Sequence, residues 1–464
     1  MINLQLNRPS CNPVSFNGYI ACPLHSLYLQ APKHGIEDVF SVAEELEDVG
    51  KVEGFDVFVQ VGDKIFKSLN EITDSIKYNF WESPDFSGLM RWSQDTKVFL
   101  EENLLGIIDK RGQGAKSEAN LAKKLADTLQ INHKEIKLKS MLAGGNFFLG
   151  LSDKGEKLAI VGKDSLYYAA SVLFTENHPD MTIGEVFGQD TLKKAFVNMY
   201  AEEFFINDDF IDNEAKRYFN KKLGGLKFEE LIKELFTIKD PLLGNKGLKE
   251  EYLEKGKKYI GQDLNINPEQ ISFISQHDYH LDTYIRPLQY PFILLNSNDC
   301  YTDIINYLEK TENNASKYLE TCKIIKESYA SIPHIEKELA DAGFQVIKIP
   351  GVRKCYSKHE EITTNPASIR ADANYINAIV HQKPDGSLIY ITNSCDPCLD
   401  ERFKNCLQEK VPSIKQVYFI SGKICSNGQS FIKRGLEIER GGIHCMVAEL
   451  PDFNLWKKLL FKLK

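Results

Sequence analysis

The chain has no apolar run approaching the ~20 residues that cross a bilayer as a helix, so no membrane span is expected. Met1 to Pro9 lacks the basic start and long apolar core of a secretory leader, which points to a cytoplasmic protein and leaves export by another route open. An excess of base is also missing. With 57 Lys and Arg against 65 Asp and Glu, the formal charge of -8 gives no reason to expect a nucleic-acid partner and is compatible with attracting a cation. The ten cysteines are too irregularly spread for a disulfide framework. One Cys-x-x-Cys is present, at Cys395 and Cys398, without a second pair or a His pair at ligand spacing, so no metal site is assigned. The acidic stretch Asn207 to Asp212 lacks the glycine and closing Glu of a calcium-binding loop. No cofactor motif is identifiable, and oligomeric state is not legible.

What is present is ample for a core: 464 residues, 42% hydrophobic and 26% charged. Five α/β units can be traced, with no exact repeat. The first has a strand at 19–22, a helix over 36–49 on which Val39, Val42, Ala43 and Leu46 fall at helical spacing, and a strand at 55–61. Ser117 can cap a helix presenting Leu121, Ala122, Leu125, Ala126 and Leu129, and a strand follows at 136–141. Further strands are expected at 147–151, 158–161, 271–274 and 291–295. A helix carrying Ile335 and Leu339 stops at Gly343 before a strand at 344–349. Strands at 375–380 and 388–392 flank the turn Lys383-Pro384-Asp385-Gly386. The last unit has a helix with Phe403, Cys406 and Leu407 and a strand at 417–420. Long helical patterns with interleaved charge fill the stretch from Asn177. The expected organisation is therefore modules one and two in 1–176, a helical insertion in 177–262, and modules three to five in 263–464. The C-terminal 455–464 segment reads as a short amphipathic helix packed on the body.

Three stretches carry chemistry. Gly441 and Gly442 let a substrate approach and lead into Cys445, a candidate nucleophile on an apolar, strand-like run. On a strand His444 faces away from Cys445, and it is given no acid/base role. His280-x-Asp282 sets an imidazole and a carboxylate on one face of an extended segment. Arg91-Trp92-x-Gln94-Asp95 adds an aromatic, an amide and a second carboxylate.

Taken in order, Arg91-Trp92-x-Gln94-Asp95, His280-x-Asp282 and Gly441-Gly442-Ile443-His444-Cys445 resemble the guanidine-modifying enzymes built as a five-bladed α/β propeller, the pentein superfamily. Gly144-Gly145-Asn146 and Tyr375-Ile376-Asn377 resemble segments of its agmatine deiminase branch. The 292–301 stretch resembles the strand and turn after the His-x-Asp motif in protein-arginine deiminases. The resemblance spans roughly residues 20 to 455. It implies a propeller with a helical insertion, and calcium enters by family analogy only.

A guanidinium is planar and permanently charged, so cleaving one of its C–N bonds requires holding its edges and attacking its face. Asp95 and Asp282 suit the edges as charge-assisted acceptors, and Trp92 can lay its ring on the cation. Cys445 attacks the central carbon; His280 protonates the departing nitrogen and then activates water. Arg91, Asn377 and Gly442 complete the expected substrate site. Ala143 stands where agmatine deiminases usually carry an acidic residue, which weakens a small polyamine as substrate. The Arg91-Trp92-x-Gln94-Asp95 pattern and the segment after Asp282 favour peptidyl arginine, with conversion to citrulline and ammonia. The alternatives are deimination of free arginine or agmatine, amidino transfer, and a non-catalytic binding protein on the same scaffold.

Overall fold

A computed structural model describes residues 20–31, 36–61, 64–67, 97–99, 104–108, 134–138, 144–152, 156–200, 208–225, 246–276, 280–297, 332–351, 373–423, 430–434 and 442–452, with single positions between them. Helical spacing in the first unit is realised as Ile36–Glu53, which buries Val39, Val42, Ala43 and Leu46. It runs past the expected end and stops at Gly54, whose φ of +89° suits a residue without Cβ. This helix connects β1 (Leu24–Ala31) to β2 (Asp56–Val61), which pair in parallel, and β3 (Lys64–Phe66) adds an antiparallel edge.

The same plan recurs along the chain. β4 (Lys97–Phe99), β5 (Leu104–Ile108) and β6 (Lys134–Leu138) form the second sheet, and β7 (Phe147–Leu151), β8 (Lys157–Gly162) and β9 (Ile271–Ile274) the third. β10 (Ile285–Pro287), β11 (Phe292–Ser297) and β12 (Gln345–Pro350) form the fourth, and β13 (Ile379–Gln382), β14 (Leu388–Asn393) and β15 (Ile414–Ile420) the fifth. In each, the first strand is antiparallel to the second and the second parallel to the third. Parallel pairing needs a crossover, which the helices Ile332–Asp341 and Pro397–Lys410 supply in the fourth and fifth sheets. β16 (Val447–Pro451) returns to lie antiparallel to β1, so the first sheet is assembled from both ends of the chain. The architecture is a five-bladed α/β propeller.

The helical stretch lies inside one unit. It starts at Lys163, directly after β8, and the helices Lys163–Asn177 and Lys246–Leu264 pack together before β9 rejoins β8. Phe174, Ile183, Leu192, Phe196 and Ile211 give it an apolar core of its own. Two other turns follow the expected chemistry: Gly343 (φ +87°) ends the helix before β12, and Gly386 (φ +85°) closes the hairpin between β13 and β14. The expected strand at 375–380 differs, because Asn374 Oδ1 accepts the backbone N–H of Ile376 and Asn377 and curls that segment before β13 begins. Such local side-chain bonds compete with a ladder. The 117–129 helix and the 455–464 segment fall largely outside the described residues.

The seam between the fifth and first units is polar and buried. Leu24 N–H donates to His381 Nδ1 at 2.9 Å, Gln382 N–H to the Cys22 carbonyl at 2.9 Å, and Lys383 and Tyr418 both donate to Glu53 at 2.7 Å. Burial pushes the His381 pKa down to about 4, outweighing the Glu53 charge, so the ring is neutral and can accept the Leu24 N–H.

The folded pKa of His381 is depressed, so its contribution is present above the unfolded value and lost as pH falls towards the folded one. Between pH 7 and pH 5 this group is expected to remove roughly 2 kcal/mol of unfolding free energy, read by urea denaturation. His381→Asn, whose amide oxygen can accept the same N–H, should flatten that difference; an equal loss in both proteins would refute the assignment.

Candidate functional site

Short turns precede β7, β10, β13 and β16, and they hold residues singled out above. Gly144–Asn146 leads into β7, Leu281–Thr283 into β10, the Asn374 to Asn377 bend into β13, and the helix Ile443–Met446 into β16. Gly144–Asn146 packs against Leu281–Thr283 and against Ile443–Met446. Arg91, Trp92 and Asp95 precede β4 in the chain and lie outside the described residues.

Cys445 is on a helical turn, not the strand expected from its apolar neighbours. The cause is tertiary. Ile443 N–H donates to Asn393 Oδ1 at 2.8 Å and His444 N–H to Asn377 Oδ1 at 3.1 Å, and these bonds turn the backbone before β16 starts. Gly442 permits the approach, since a Cβ there would stand 2.5 Å from Asn393 Oδ1 and 2.8 Å from Asn377 Oδ1. On a helical turn successive side chains are about 100° apart and not opposed, so His444 and Cys445 reach the same partner. The expectation that His444 faces away is thereby corrected.

That partner is Asp282. Its Oδ2 accepts from His444 Nδ1 at 2.7 Å, from Asn377 Nδ2 at 3.1 Å and from Cys445 Sγ at 3.3 Å. Asn377 Nδ2 also lies 3.2 Å from Cys445 Sγ. Asn377 is itself held by its neighbours: Asn393 Nδ2 donates to the Asn377 carbonyl at 3.1 Å and to that of Asn374 at 2.6 Å. Asn374 Nδ2 reaches the Thr283 carbonyl at 3.1 Å. The amides thus tie three turns into one assembly. His280 is half-buried and extended (φ -133°), but Asp282 belongs to the 3-10 turn Leu281–Thr283, so the single extended face expected for the pair is not formed. The two still interact, the charge of His280 acting to lower the Asp282 pKa.

Burial dominates the electrostatics. It would raise the Asp282 pKa, but the His444 bond and charge outweigh it and hold the carboxyl below its ordinary value. For His444, burial and the Arg286 charge favour the neutral ring, and the Asp282 bond together with Glu449 reverses this, leaving the pKa raised. The Cys445 thiol is pushed well up, first by burial and then by the Asp282 charge, so it is protonated in the ligand-free protein. Behind His444, Glu449 is paired with Arg286 at 2.8 Å, both buried.

The structure brings together Cys445, Asp282, Asn377 and Gly442, with His280 beside Asp282. Sequence reasoning missed Asn374, Asn393, Arg286 and Glu449 and set His444 aside; the adjacency of His444 to the candidate nucleophile Cys445 was the one available signal. No grouping of three or more His, Cys, Asp or Glu able to hold a metal occurs among the described residues. A cleft of about 670 Å³ lined by Leu24, Gly50, Phe55 and Lys67 shares no residue with this cluster and holds no thiol.

Two measurements check this description. Thiolate absorbance, taken as the difference from Cys445→Ala, should place Cys445 above the ordinary thiol range, and Asp282→Asn should lower its midpoint. An unshifted midpoint would contradict the Asp282 contact. Gly442→Ala should cost about 1–3 kcal/mol in denaturant unfolding, because its methyl displaces buried amides; an unchanged midpoint would mean that the turn is not so constrained.

No protein-family model matches the chain, and no curated protein matches it. Among solved structures, agmatine deiminase of C. jejuni aligns over 93% of this chain and 95% of its own, at 12% identity and a TM-score of 0.45. A Cys-to-Ser variant of the C. jejuni deiminase with substrate bound aligns over 93% and 96%, at 13% identity and a TM-score of 0.45. Agmatine deiminase of Enterococcus faecalis aligns over 94% and 95%, at 11% identity and a TM-score of 0.41. The chemistry open to this chain rests on the geometry of its own cluster.

Proposed function

We propose that the protein is a cysteine-dependent hydrolase of guanidino C–N bonds. The observation that carries this reading is the convergence of the Cys445 thiol, the Asp282 carboxylate and the Asn377 amide in one buried assembly. Asp282 Oδ1 is buried and has no hydrogen-bond partner among the described residues, an acceptor suited to a cationic donor.

In the proposed reaction the guanidinium donates to Asp282 Oδ1 along one edge. Asp95 would take the other edge and Trp92 the ring face, assignments supported by the sequence motif alone. The arriving positive charge offsets the carboxylate that holds the thiol protonated, and Cys445 passes its proton to His280. The thiolate attacks the central carbon. His280 returns the proton to one nitrogen, which leaves as ammonia, and a thiouronium remains on Cys445. His280 then takes a proton from water, the hydroxide adds to the same carbon, and the C–S bond breaks to release a ureido product and restore the cysteine.

The Arg91-Trp92-x-Gln94-Asp95 pattern supports peptidyl arginine, but the burial of Cys445 and Asp282, 1% and 0% exposed, favours a slender free guanidine such as agmatine or arginine. We therefore place free guanidines first and arginine on a folded protein second.

The test is release of ureido product and ammonia from agmatine, free arginine, N-blocked arginine and an arginine-containing peptide. Turnover of a free guanidine is expected, falling at least about a thousand-fold in Cys445→Ala. Undiminished turnover in that variant would overturn the mechanism. Turnover restricted to blocked or peptide arginine would move the peptidyl reading to the front, and transfer to an amine without ammonia release would mark an amidinotransferase.

A further inference from the structure

The two oxygens of Asp282 are treated very differently. Oδ2 takes three donors, from His444, Asn377 and Cys445, while Oδ1 has none among the described residues although both oxygens belong to a fully buried side chain. The shortest of the three bonds comes from His444, at 2.7 Å between groups each 1% exposed. The other ring nitrogen, Nε2, faces a second carboxylate at ion-pair distance, 3.8 Å from Glu449 Oε2. A neutral ring donating from Nδ1 would turn an unprotonated Nε2 towards that carboxylate, whereas an imidazolium directs a proton to each acid. Glu449 in turn is bonded to Arg286 at 2.8 Å. Charge therefore alternates through the core from Arg286 to Glu449 to His444 to Asp282, and a cation at Oδ1 would continue the series.

We infer that His444 is a positioning residue, its imidazolium clamping Oδ2 of Asp282 so that Oδ1 stays turned towards an incoming guanidinium. The inference rests on the guanidine reading for the identity of that cation, but not for the clamp itself. A carboxylate held only by an amide and a thiol could rotate about its Cβ–Cγ bond and present either oxygen. The charge-assisted bond from an immobilised ring removes that freedom. It also keeps the buried carboxyl ionised, a requirement for binding a cation. The charged and titratable groups around the ring are Asp282, Glu449 and Arg286, with Cys445 next in the chain and His280 beyond Asp282.

Three readings test it. In the wild-type chain, the ring nitrogens of His444 observed by ¹⁵N NMR should show an imidazolium at neutral pH; a neutral ring would overturn the proposal without any variant being made. In full-length protein carrying ¹³C-labelled aspartate, His444→Gln should raise the titration midpoint of Asp282, the signal being assigned with Asp282→Asn. An unmoved midpoint would overturn the clamp. In the Cys445→Ala background, where nothing is turned over, calorimetry with methylguanidinium, agmatine and arginine should show affinity falling about 10- to 100-fold on adding His444→Gln. Equal affinity would show that the ring only fills space. If wild-type protein neither binds nor turns over any guanidine while Asp282 still follows His444, the guanidine reading falls and the clamp stands.

Discussion

The hydrogen bonds converging on the Asp282 carboxylate hold together turns that lie far apart in the chain. A buried anion is costly unless it is paired and bonded, and Asp282 meets that requirement only because His444, Asn377 and Cys445 arrive from two other units. The amides of Asn374 and Asn393 then brace the same turns from behind. Removing any one contributor would leave a charge or an amide unsatisfied in a site that water does not reach freely. The cluster is thus a structural joint at the place where the proposed chemistry would occur.

Propeller closure explains how the last residues come to meet the middle of the chain. β16 completes the first sheet against β1, and the turn that carries Cys445 immediately precedes it. Cys445 is thus carried by the turn just before the strand that completes the first sheet, so its meeting with Asp282 depends on that pairing. The seam through His381, Glu53 and Lys383 secures that closure with buried and partly buried polar contacts in addition to apolar packing. The third unit absorbs a long helical crossover without disturbing its sheet, because β8 and β9 still pair in parallel on either side of it.

Local features were legible wherever a short-range rule decided the outcome. The Val39, Val42, Ala43 and Leu46 spacing specified a helix face, and Gly343 and Gly386 marked turns that only a residue without Cβ makes cheaply. His280-x-Asp282 and Cys445 stood out as chemistry-bearing types in an ordered series. Two readings failed for related reasons. Tyr375 to Asn377 and Ile443 to Met446 look like strand by composition, yet amide side chains capture backbone N–H groups and curl them, the neighbouring Asn374 in the first and the distant Asn377 and Asn393 in the second. Intrinsic strand preference is worth about 1 kcal/mol at most and yields to such bonds when they are buried.

By itself the sequence determined the alternation of helices and strands, the five-unit plan and the residue types able to hold and attack a planar cation, because periodicity, turn chemistry and side-chain chemistry are properties of short segments. The tertiary structure decided which of those residues share one carboxylate, which way His444 points, and that Arg286 and Glu449 stand behind it. Those facts depend on approaches of 2.7 to 3.3 Å between residues more than ninety positions apart in the chain, as between His444 or Cys445 and Asp282. Only the closed ring of sheets brings them within reach.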